Sequence, residues 1–247
     1  YMGLLITFIL GIFTLLGTFI ALFIKNSKKF ISFSIGMAFG VMLMLIIFDL
    51  APEVVEIFFG KFTDILAVAL IIVFSLSGIF LLKGFDVFVP DHEHDKKHDD
   101  KNLFHIGIVS SVALVLHNII EGMAVYSVYQ NNPSTSLLLC IGVGLHNIPL
   151  GMVISAMFYD HNKNKAKTIF ISFLISLSTF VGGFIMLLLS SVISELFLGV
   201  LLAVTLGMII YISFFELLTH IVKDSNKKYS LIGIFVGVLV ILLSLIF

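Results

Sequence analysis

Short polar interruptions divide this chain into eight long apolar stretches. They cover residues 2–24, 31–58, 64–84, 103–129, 135–158, 168–193, 195–222 and 229–247. A helix needs about 20 apolar residues to cross the hydrocarbon layer of a bilayer, and each stretch approaches or exceeds that length. The pattern predicts an all-α polytopic membrane protein with eight transmembrane helices forming a single transmembrane domain over 1–247. The first stretch lacks a basic leader and is long enough to span, so it reads as a true membrane helix.

Composition supports the same class. Sixty per cent of the residues are hydrophobic and 12% are charged, against about 25% charged in a soluble domain. The single cysteine, Cys140, excludes an internal disulfide framework and any paired-cysteine metal site. Nothing in the scattered lysines suggests a nucleic-acid partner.

The lysines do set an orientation. Connections one, three, five and seven carry Lys25, Lys28, Lys29; Lys83, Lys96, Lys97, Lys101; Lys163, Lys165, Lys167; and Lys223, Lys227, Lys228. Only Lys61 falls in an even connection, so thirteen of fourteen lie on one side of an eight-span arrangement. The positive-inside rule makes that side cytoplasmic and leaves both termini outside. The expected location is the cell (inner) membrane, with the lipid bilayer as the surrounding partner.

Connection three, 85–102, is the long polar one and reads "VPDHEHDKKHDDKN" over residues 89–102. Its His92, His94 and His98 stand among carboxylates. Such a tract is a solvated linker, or else a flexible collector of divalent metal, since imidazole and carboxylate both ligate such ions. His105 and His161, near the ends of their spans, are expected in water.

Most acids lie in connections or at span ends, Glu56 among the latter; the exceptions are Asp49 and Glu53 in span two, Glu121 in span four and Glu216 in span seven. An ionisable group at bilayer depth costs about 2.5–3.5 kcal/mol on insertion scales, so these should face one another, an ion or a wet path. His117 and Glu121, four residues apart, share one helix face and could bind one ion, with Asn118 a step round the helix. Span five repeats the pair as His146 and Asn147, then adds Pro149, which is expected to kink the helix. Met42 and Met44 read as core.

At these residues a family resemblance becomes visible. "HNIIEG" in span four and "HNIPLG" in span five resemble the paired His-Asn motifs of the ZIP (Zrt/Irt-like) metal transporters. The likeness extends to "DLAPE" at 49–53, "FFELLTH" at 214–220, the His-rich third connection and the eight spans. It implies import of a divalent transition metal, zinc first and Fe²⁺ or Mn²⁺ also, as substrate rather than cofactor. His117, Glu121 and His146 would be primary ligands, with Asn118, Asn147, Asp49 and Glu53 contributing. Glu216 and His220 would serve an exit path. An elevator motion of spans one, four, five and six, and a homodimer, are also implied.

The chain departs from the family in one respect. Leu150 stands where the second motif usually carries a glutamate, and Phe180 occupies the place of an acid in span six. Both argue for a single ion rather than a metal pair. Two other functions fit the residues: a degenerate metal-binding sensor, and an intramembrane metal-dependent hydrolase using a metal-bound water. The absence of an HExxH motif weighs against an enzyme.

Overall fold

The computed structural model describes residues 2–24, 27–88 and 98–245. Eight helices are long and apolar enough to cross a membrane: α1 Met2–Phe23, α2 Lys28–Phe59, α3 Asp64–Phe88, α4 His98–Asn131, α5 Pro133–Asn162, α6 Lys165–Leu189, α7 Glu195–Lys223 and α8 Lys227–Ser244. No strand occurs among the described residues. The architecture is therefore the all-helical, eight-span one that the apolar pattern predicts, in an integral membrane protein.

Helix boundaries follow local capping chemistry. Ser27 and Ser194 begin α2 and α7, and Asn132 and Asn164 begin α5 and α6. Each accepts hydrogen bonds from the first-turn amides through its side chain. Asn132 is the whole connection between α4 and α5. Lys163 ends α5 in the left-handed conformation at φ 52°.

Side-chain contacts show which ends lie together. Lys61 and Glu195, in the second connection and at the start of α7, pair at 2.8 Å. At the opposite end one cavity is lined by Lys28, Leu103, Lys163 and Lys223. Connections one, three, five and seven thus share an end, as the lysine distribution requires.

Two helices depart from the α-ladder. In α2 a π-helical turn runs over Ile46–Leu50, closed by the Ala51 amide donating to the Ile46 carbonyl. Pro52 follows at once; it has no amide to continue the ladder, and its ring crowds the preceding turn. In α7 a second π turn covers Ile212–Leu217, closed from Leu218 to Ser213; no proline accompanies it. Each turn carries an intramembrane acid, Asp49 or Glu216. At Pro149, where the sequence predicts a kink, α5 continues as α-helix with the proline inside it.

Lipid supplies no hydrophobic force between helices, so close van der Waals contact must hold them together. Glycine provides it. A Cβ on Gly122 would lie 1.9 Å from the Thr179 carbonyl oxygen, and one on Gly182 would lie 1.9 Å from that of Ile119. This lock joins α4 to α6. The same reciprocal pattern, with each glycine meeting the carbonyl three residues before its partner glycine, joins α1 to α5 through Gly17 and Gly151. It joins α3 to α7 through Gly78 and Gly207, and α2 to α8 through Gly36 with Gly233 and Gly40 with Gly237. Gly11 against the Ser176 carbonyl adds α1 to α6, and Gly199 against Ile57 adds α7 to α2.

The locks divide the helices into two sets. The bundle comprises α1, α4, α5 and α6; the frame comprises α2, α3, α7 and α8. Among the described residues no glycine lock crosses from one set to the other. The two meet through an apolar core containing Leu45, Leu150, Val153, Met157, Leu206 and Met208.

Replacing Gly122 by alanine should therefore cost about 1–3 kcal/mol through overpacking, read as a lower thermal midpoint in detergent. Gly84→Ala, with open space around its Cβ position, should leave that midpoint unchanged.

Candidate metal site

The α4–α5 hairpin sets the two His-Asn pairs side by side. His117 and Glu121 stand one turn apart on α4, and His146 reaches across from α5. Nε2 of His117 lies 2.7 Å and Nε2 of His146 2.8 Å from the same carboxylate oxygen, Glu121 Oε1. Their rings are 6.3 Å apart and tilted by 37°. The three side chains offer ligand atoms all within 4.8 Å of one another. Nitrogen and oxygen ligands around tetrahedral zinc stand about 3.4 Å apart, given metal–ligand bonds near 2.1 Å. The cluster has the composition and scale of such a site.

Its protons are informative. A carboxylate oxygen only accepts, so His146 donates to Glu121 Oε1 through Nε2–H. His117 Nε2 is as close but makes no aligned hydrogen bond. Three polar atoms crowded on one point, with one aligned bond among them, are arranged for a cation.

The asparagines hold this geometry. Asn147 donates from Nδ2 to the other oxygen of Glu121, Oε2, at 3.0 Å. Asn118 donates to the Ile175 carbonyl of α6 at 3.4 Å, tying the site helix to its glycine-locked neighbour. The Oδ1 atoms of both are buried without a hydrogen-bond partner among the described residues. Both asparagines have 0% exposure and the two histidines at most 4%.

Asp49 and Glu53 of α2 stand outside the tight trio but line an adjoining cavity of about 170 Å³ with His117 and Glu121. Leu50 of α2 and Leu202 of α7 also line it, and its remaining walls, including Val128 and Leu139, come from the second half of α4 and the first half of α5. The cavity therefore runs from the trio toward the α4–α5 connection. Towards the lysine-rich end the path is filled: Val109, Ala113 and Leu114 of α4, and Leu150, Val153, Ile154 and Met157 of α5, are buried in one apolar core. Beyond them opens a vestibule of about 560 Å³ lined by Glu216, His220, Asp160 and Asp224. Burial raises the Asp224 carboxyl, but bonds from Ser32, the Asn226 amide and Ser230, with His220 nearby, outweigh it and hold it below the ordinary range.

Other sequence expectations meet mixed outcomes. Leu150 is 1% exposed in the apolar core, and Met42 and Met44 are buried there too. Phe180 packs edge-on against Phe8 of α1 and stacks on Phe184, and it is not among the cavity-lining residues. His161 is exposed and stacks on Phe104 at 3.9 Å. His105 does not sit free in water: it is 13% exposed and paired with Asp86. Sequence reasoning missed that pair because Asp86 arrives from the far side of a long connection. His92 and His94 lie outside the described residues; His98 begins α4, and its side chain also lies outside them.

The chain also has relatives. The model of the ZIP zinc transporter family matches residues 88–245. Over nearly its whole length the chain is similar to proteins named zinc transporter ZupT. That of Clostridium perfringens is 28% identical, with 99% of this chain and 95% of the relative covered. That of Chlorobium phaeovibrioides is 29% identical, covering 100% and 97%. That of Oceanobacillus iheyensis is 28% identical, covering 98% and 96%.

Asn147→Ala removes the donor that fixes Glu121. Losing such an outer partner costs about 10–100-fold in metal affinity, and calorimetric titration of the purified protein with zinc should show a loss of that size.

Proposed function

The chain belongs to the ZIP zinc transporter family, and we propose that it imports a divalent transition metal, zinc foremost, through the trio His117, Glu121 and His146. The observation that carries this reading is the convergence of two imidazole nitrogens on one buried carboxylate oxygen at mid-span. Family membership is membership among transporters, which sets the hydrolase reading aside.

The ion is the substrate. Two neutral imidazoles and a carboxylate suit Zn²⁺, and also Fe²⁺ and Mn²⁺. Asp49 and Glu53, on the entry side of the trio, offer negative charge to an arriving cation. Asn118 and Asn147 add amide oxygens beside it. When the ion takes the trio, the Nε2 hydrogen of His146 must leave that nitrogen, as it does when a neutral imidazole changes tautomer to Nδ1–H, so that the Nε2 lone pair faces the ion.

Lysine distribution supports an inside at the vestibule end. The site is then reached from outside through the smaller cavity, and an apolar plug closes it from the cytoplasm. Release needs the bundle to move relative to the frame. The glycine locks support that motion, since they hold each set rigid and leave the boundary between them to apolar side chains that can slide. Glu216 and His220 would receive the ion in the vestibule. Leu150 and the placement of Phe180 support one ion per passage.

Zinc uptake by proteoliposomes tests the reading. The wild type should accumulate zinc, and Glu121→Gln should lose at least tenfold of the initial rate while keeping its thermal midpoint. Metal binding without flux in the wild type would instead favour a sensor. Competition by Fe²⁺, Mn²⁺ and Cd²⁺ would rank the cargo.

A further inference from the structure

The boundary between bundle and frame is crossed by a polar contact that transport chemistry does not use. At the lysine-rich end, His105 of α4 donates from Nε2 to Asp86 Oδ1 of α3 at 2.5 Å. Tyr211 of α7 donates its hydroxyl to the other oxygen, Asp86 Oδ2, at 3.1 Å. Asp86 is thus held from both sides, by the frame through Tyr211 and by the bundle through His105. The contact is largely shielded, with His105 13% and Asp86 24% exposed, so bulk water screens it less than a surface pair.

Its position ties it to the site at both ends. His105 lies twelve residues before His117 on the same helix, about 18 Å along the axis. Tyr211 is the last residue before the π turn that carries Glu216. Its ring stacks on Phe215 at 5.3 Å. α4 cannot shift along α3 and α7 without drawing His105 away from Asp86. The present arrangement, with the outer cavity reaching the trio and the inner plug closed, is the one in which this contact is made.

We propose that Asp86, His105 and Tyr211 form a latch across the bundle–frame boundary, which holds the conformation whose metal site is reached from the α4–α5 connection and must open for the ion to be released. The latch rests on the two-body reading above, but its labelling readout is separate from flux. Asp86 and His105 act by positioning α4; neither touches the substrate ion.

The test uses the full-length protein in proteoliposomes, with Cys140 replaced by serine and a reporter cysteine at Val128, which lines the outer cavity. A membrane-impermeant maleimide labels the reporter with and without His105→Ala or Asp86→Asn. Each variant should slow labelling at least threefold, as the population moves away from the outer-accessible state, while calorimetric zinc affinity stays within twofold. Tyr211→Phe keeps the ring stack and removes one bond, so it should give a smaller change of the same sign. Unchanged labelling in all three variants would overturn the latch. A second measurement replaces Asp86 and His105 together by cysteine, in the Cys140→Ser background with Val128 retained, and joins them with a short bifunctional thiol reagent. Joining should abolish zinc uptake, and uptake that survives joining would equally overturn it. If the unmodified protein moves no zinc, the transport reading fails, while the labelling result still decides the latch.

Discussion

The structure turns on a carboxylate placed where there is little water. Glu121 lies at mid-span, and an ionised carboxylate there demands several polar partners. It has three, and two of them, His146 and Asn147, come from one turn of α5. The third, His117, stands a turn away on its own helix. Much else serves to keep these groups at one height. The single-residue connection at Asn132 fixes the register of α4 on α5. Ser136 donates to the Val125 carbonyl just beyond the site, pinning the hairpin again. Asn118 and the Gly122–Gly182 lock tie α4 to α6 on the neighbouring face, one residue round the helix.

That rigidity belongs to one half of the molecule, and the contrast with the boundary is physical. Within each set of four helices, backbones approach so closely that a methyl group cannot be inserted, and such contacts resist sliding. Between the sets, leucine, isoleucine, valine and methionine meet. Their interactions are individually weak and tolerate displacement by alternative packings. The motion proposed for transport, in which a precise ligand geometry is held while it is moved, needs both kinds of surface. The buried hydroxyls distribute in the same way: Ser155 donates to Thr18 at 2.8 Å and lies 3.0 Å from Ser172, linking α5, α1 and α6 inside the bundle.

Much of this was legible in the residues. Eight spans follow from apolar length, and their common ends follow from where the lysines fall, since a wrong span count would scramble them. The trio follows from the i, i+4 spacing of His117 and Glu121 and the repetition of His-Asn in the next span. What stayed hidden depends on packing or on backbone detail. Pro52 and Pro149 look alike in sequence. Yet a π turn precedes the first, at the level of the trio, and the second is absorbed in a continuous helix. The π turn in α7 has no sequence signal at all, and nothing in the structure explains why it forms there. His105 looked solvated because it begins a span, but the preceding span ends with an acid at its level. Phe180, at the place where the family resemblance leads one to expect an acid, turns its ring to Phe8 and Phe184.

Leu150 shows how a single side chain can set the stoichiometry proposed for the site. It lies one turn after His146, on the α5 face that continues from the trio toward the plug, and it is 1% exposed. A second divalent ion beside the first would add two positive charges to a pocket whose nearest anion, Glu121, already has both oxygens engaged. On the α5 side of the trio a carboxylate at 150 could meet that charge; a leucine offers it none, and an unpaired ion there carries a penalty of several kcal/mol. The same leucine has a second consequence. Its side chain belongs to the apolar core that closes the inner path, so the residue that removes the second ion's ligand also thickens the plug. On the proposed one-ion reading, a single ion and a closed inner path both follow from leucine at this position, and Leu150→Glu would be expected to change both together.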